Sequence, residues 1–118
     1  MSDLWFIGVP VEIKRFHSGF GSRIIVPSSI RSYLHIEKDD YVDVLLLNEC
    51  FIVRKHKVIM RGEKWFKIKL DRASFRFPQD YANTHLLTPG TVVYLYHTPQ
   101  YAVYRFAPFE FTVPFPEK

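Results

Sequence analysis

Four basic residues, Lys14, Arg15, Arg23 and Arg31, stand close together in the first third of this 118-residue chain. Cations grouped in this way can neutralise phosphates, and an arginine can also pair with a guanine edge in a major groove. A second group, Lys67, Lys69, Arg72 and Arg76, follows in the other half. Strand parity puts Lys67 and Lys69 on one face, with Phe66, Ile68 and Leu70 on the other. A turn centred on Asp71 and Arg72 is expected to set Lys67 opposite Arg76 and Lys69 opposite Ser74. Two cations facing each other across a sheet cost stability unless an anion relieves them. The competing reading of both groups is a solvated polar face on a half-buried sheet, which needs no ligand.

Other reactive side chains form no constellation. His17 lies in "HSGFG", a loop whose tip can either enter a groove or have no role. His35, His56, His85 and His97 have no ligand spacing with cysteine or carboxylates, so neither a metal nor any other cofactor is called for. His35 and His85 read as partly packed helix residues. Asp39 and Asp40 support the turn that starts the next strand, and Cys50 reads as a small packed residue after a hairpin turn. There is no glycine-rich phosphate loop, nucleophile elbow or carboxylate–histidine pair on which to build an enzyme.

The elements that must carry these residues occur twice. "RIIVP" ends at Pro27 and "SFRFP" at Pro78, an offset of 78 − 27 = 51 residues. At that offset Ile24 falls on Phe75, Val26 on Phe77, Ile30 on Tyr81, Val42 on Val93, Ile52 on Val103 and Arg54 on Arg105. What recurs is the placement of apolar positions and turns. Each copy reads as a strand, a second strand closed by proline, a short helix, and a hairpin. The first strands are "PVEIKRF" and "KWFKIKL"; the helices are "SSIRSYL", with Ser28 or Ser29 as cap, and "QDYANTHL". In the first helix Ile30 and Leu34 share a face. The hairpins turn at "NE" and "PQ". Each ββαββ unit is too small to bury a core alone, so the two are expected to pack as one compact domain. The units span residues 7–57 and 64–107, and 108–118 is an aromatic, proline-punctuated tail expected to add an edge strand.

A hydrophobic content of 47%, an aromatic content of 17% and only 5 glycines fit a β-rich globular chain. The net charge of +4 is compatible with an anionic partner. A single cysteine excludes an internal disulfide and fits a reducing, cytoplasmic setting. No apolar run approaches the roughly 20 residues of a membrane span. The start "MSDLWFIGVP" also lacks the features of a signal peptide.

"RIIVPSSIRSYLHIEKDDYVDV" resembles the motif of the AbrB/MazE/SpoVT superfamily, the swapped-hairpin or looped-hinge-helix proteins. The resemblance lies in an Arg and alternating apolar residues ending at proline, then a short helix with an "IR" pair. A Leu-x-Ile, an Asp-Asp turn and Val-x-Val follow. It covers Val11–Lys57 well, while "LLTPGTVVYL" keeps the turn and last strands in the second half. Where the family often has glycine after the helix leucine, this chain has His35 and Leu86, and "FHSGFGS" is a longer link than usual. The resemblance implies an interlaced pseudo-dimeric swapped-hairpin barrel written into one chain. It also implies double-stranded DNA binding by Lys14, Arg15, His17, Arg23 and Arg31, with Lys67, Lys69, Arg72 and Arg76 as second-half candidates, in transcription regulation of the antitoxin type. The alternative is a protein-binding module, toxin-neutralising or bound to the transcription machinery, whose second half has lost DNA binding. A duplicated chain can act as a monomer or pair further into a homodimer.

Overall fold

The computed structural model describes residues 9–15 and 22–107. In the first half the elements are β1 (Val9–Glu12), β2 (Lys14–Arg15), β3 (Ser22–Ile25), α1 (Ser28–Leu34), β4 (Tyr41–Leu46) and β5 (Cys50–Lys55). The second half runs β6 (Phe66–Lys69), β7 (Ser74–Arg76), α2 (Gln79–Thr84), β8 (Val92–His97) and β9 (Ala102–Arg105). The protein is mainly β, as the alternation of apolar residues predicts. The loop bearing His17 and the tail 108–118, with its expected edge strand, lie outside the described residues.

The prolines stop their strands and seed the helices, with one difference from expectation. Pro27 itself is the N-cap of α1, in an extended conformation and without a side-chain capping bond, so Ser28 and Ser29 fall inside the first turn and are exposed. Proline's fixed φ suits that position. Ile30 and Leu34 are buried, as their i, i+4 spacing requires. Helices of seven and six residues cannot persist alone and are held by packing. No helix among the described residues is long and apolar enough to cross a membrane.

All pairings are antiparallel. One sheet has six strands in the order β1-β8-β9-β5-β4-β6, and a second has three in the order β2-β3-β7. The expected barrel is not closed: β1 and β6 are the two edges of the large sheet, and the small sheet stands apart from it. The reason is visible at the corners. After β1 the chain turns through Ile13, and after β6 through Leu70, both buried, and the strands that follow pair among themselves. Ile24 and Phe75 of the small sheet and Phe51 and Tyr104 of the large one join a single core. Phe51 is the hub, stacked on Tyr104 at 4.7 Å and edge-on to Phe75 and Phe77.

The register carries a two-fold relation. Ile24 pairs with Phe75 at the centre of β3–β7, and Ile52 pairs with Val103 in β5–β9. Both pairs differ by 51 (75 − 24 and 103 − 52), so each residue faces its own repeat across an axis. The first strand of each half pairs into the other half's sheet, β1 with β8 and β6 with β4. Val44 faces Phe66 and Leu95 faces Val9, so these strands are offset by 66 − 9 = 57 residues. The six extra residues belong to the longer first link.

Candidate nucleic-acid interface

The small sheet collects cations that the sequence places far apart. Lys14 stands opposite Arg23 across β2–β3, and Arg23 stands opposite Arg76 across β3–β7. Adjacent strands are about 4.8 Å apart, so the three residues form one short row across the sheet. Ile24 and Phe75, at 0% and 1% exposure, point into the core. Period-two alternation therefore puts Arg23, Ile25, Ser74 and Arg76 on the opposite face, where Ser74 is still buried at 4% exposure. Arg23 Nη1 donates to Ser74 Oγ at 3.3 Å, the hydroxyl at its own repeat position. Arg23, Ile25, Asp71, Arg72, Ala73 and Ser74 line a pocket of about 250 Å³ beside this row.

Arg72 reaches the pocket because its turn is anchored to the other half. It has φ 61°, its N–H donates to Asp39 Oδ1 at 2.7 Å, and its carbonyl accepts the Asp39 N–H at 2.9 Å. Asp40 braces the turn that carries Asp39 by accepting the Glu37 and Tyr41 N–H groups. Burial works against the charge of Asp40, but these backbone bonds and Lys55 hold its carboxyl below the ordinary value. Asp40 thus supports the turn before β4 as expected, whereas the Asp39 carboxylate, in a residue at φ 63°, is spent on the Arg72 N–H of the other half.

The other basic candidates stand elsewhere. Arg15 stands opposite Ser22, one step along β2 from the row. Arg31 is half-buried and its Nε donates to the Val26 carbonyl at 3.0 Å, tying α1 to the end of its strand. The register expected for β6 and β7 is wrong: Lys67 stands opposite Asp43 and Lys69 opposite Tyr41, in the large sheet. Only the Asp71–Ser74 bridge joins the two sides of that turn, because β6 peels away to pair with β4. Lys67 Nζ lies 4.4 Å from the Tyr41 ring centre, a cation–π contact.

Two features escape a reading by charge alone. Ser74 and Ile25 complete the outward face of β3–β7, and only the cross-strand register reveals them. The second is a buried ionic cluster on the large sheet. Asp43, 0% exposed, accepts Arg54 Nε at 3.0 Å and the Lys57 N–H at 3.1 Å on Oδ2, and His56 Nδ1 at 2.7 Å on Oδ1. Trp65 covers the Arg54 guanidinium at 4.0 Å. Burial pushes the Asp43 carboxyl up, but the bonds from His56, Lys57 and Arg54 outweigh it and hold it below the ordinary value of 3.8. A signal was present: Asp43 and Arg54 are equidistant from the "NE" turn, so a tight hairpin must pair them. His35 is exposed rather than packed, whereas His85 is half-buried against Tyr81 and Phe106. No group of three potential metal ligands occurs among the described residues.

Comparison with protein-family models, with curated proteins and with solved structures returned no match.

Proposed function

We propose that the protein is a cytoplasmic DNA-binding regulator in which two AbrB-like ββαββ units, fused in one chain, form a pseudo-dimer. The observation that carries this reading is the row Lys14–Arg23–Arg76, three cations in register on successive strands of a small sheet. Cations one strand apart on one sheet offer a polyanion successive contacts, which a single charge would not. The pseudo-dimeric fold is supported by the two strand pairs that unite equivalent residues and by the exchange of first strands between halves. A major groove admits a two-stranded β-ribbon, and β3–β7, two of the small sheet's three strands, would present Arg23 and Arg76 to it. Lys14, Arg23, Arg72 and Arg76 contact phosphates and displace counterions, and the side chains between them face base edges.

Retardation of a short duplex across a salt series tests the reading. Affinity is expected to fall steeply with salt, and Arg76→Ala and Lys14→Ala each to lower the log–log slope by about 0.9. Thermal unfolding of Arg76→Ala is expected to stay within about 0.5 kcal/mol of the parent, since Arg76 is exposed. A duplex that is not retarded at low salt by tens of micromolar protein would falsify the proposal.

A further inference from the structure

Among the outward residues of β3–β7, Ile25 is the one that electrostatics does not explain. It stands opposite Ser74 and diagonal to Arg76, follows Arg23 by two residues, and lines the pocket that Arg72 and Asp71 also border. It is 43% exposed, so the core does not require its apolar character. Nor does the fold, because its equivalent across the two-fold relation is Arg76 (25 + 51), a charged residue on the same face of the partner strand. A true two-fold would set Arg23 against a second arginine at 74 and Arg76 against another at 25. Here the cations instead gather on one side of the axis, with an isoleucine and a serine on the other. The backbone bearing Ile25 is held firmly: its carbonyl accepts the hydroxyl of the fully buried Tyr104 at 2.9 Å, and Val26 N–H donates to the Ala73 carbonyl at 2.7 Å.

We infer that Ile25 is a base-reading residue, contacting a thymine methyl in the major groove while the cations beside it hold the phosphates. The inference rests on the duplex-DNA reading above. The thymine C5-methyl is the one apolar group a major groove presents, and aliphatic side chains recognise it by contact. An exposed isoleucine rooted on a fixed strand between phosphate-binding arginines is in position to do so.

Short alternating dA-dT and dA-dU duplexes differ by that methyl alone and serve as probes in fluorescence anisotropy. The protein is expected to bind the thymine duplex about fourfold more tightly for one buried methyl. Ile25→Ser is expected to bind the two duplexes with equal affinity, abolishing the preference, and Ile25→Val to retain it. Equal affinity of the parent for the two duplexes, or a preference that survives in Ile25→Ser, overturns the role of Ile25 and leaves DNA binding standing. Failure to bind either duplex at low salt overturns the DNA reading itself.

Discussion

Asp43 interrupts an otherwise apolar strand, and its charge survives at zero exposure only because three donors converge on it. Removing one member of a buried ion pair strands the other, so Asp43→Ala is expected to destabilise the fold by about 3–5 kcal/mol, read by chemical denaturation. The Arg54 Nη2 group is already buried without a hydrogen-bond partner, which sharpens that loss. Replacing Asp43 and Arg54 together by leucine and methionine is expected to recover much of it. The carboxyl is held below 3.8 when folded, so its contribution is complete above that value and is lost as pH falls through the folded one. Stability measured from about pH 6 down to about pH 2 should therefore drop less in Asp43→Asn than in the parent. Asp40, also held low, leaves a residual drop in the variant. At this scale the sequence was legible in part. The cations were visible, but parity alone could not say that Lys67 meets an aspartate or that Arg23 meets Arg76. Those partners come from strands distant in the chain.

Both helices end in the same way. Ile36 N–H donates to the Arg31 carbonyl and His35 N–H to the Ser32 carbonyl; Leu87 and Leu86 do the same to Ala82 and Asn83. These are Schellman closures, which need a left-handed residue just after the helix, usually glycine. Here His35 has φ 61° and Leu86 has φ 57°. Leu86 is 74% exposed, so its side chain returns little burial for the strain. Leu86→Gly is expected to raise stability by about 1 kcal/mol, and His35→Gly by a similar amount, measured as the shift in the denaturation midpoint. A fall in stability for both would refute this account of the helix ends. The elements themselves were readable, because proline, the i, i+4 pair and the alternating runs act locally. The closed barrel was not, since closure depends on whether β1 and β6 meet, and their alternatives are long-range. The N-cap was misjudged because a proline with the right φ occupies the site that serine usually takes.

Across the whole molecule, exchange of the first strands binds the halves more tightly than the linker does. β1 lies on β8 and β6 on β4, so neither half completes its sheet with its own first strand. Among the described residues the edge strands of this sheet carry Pro10 on β1 and Lys67 and Lys69 on β6, residues that discourage further strand addition. Between the halves, residues Met60 to Glu63 form a turn. Glu63 N–H donates to the Met60 carbonyl, Met60 N–H donates to Glu63 Oε1, and Gly62 sits at φ 91°. Val58 and Met60 on this connection are 77% and 63% exposed, so it adds little to the core. A protease site inserted at Arg61–Gly62 is therefore expected to be cut without separating the halves, which should co-elute on sizing at micromolar concentration. The cut changes one quantity, the effective concentration that the linker supplies. Unfolding of the cut protein should accordingly become dependent on protein concentration, while the intact chain's does not. Halves that elute separately, or a cut protein whose melting ignores concentration, would contradict the exchange of strands as the source of cohesion.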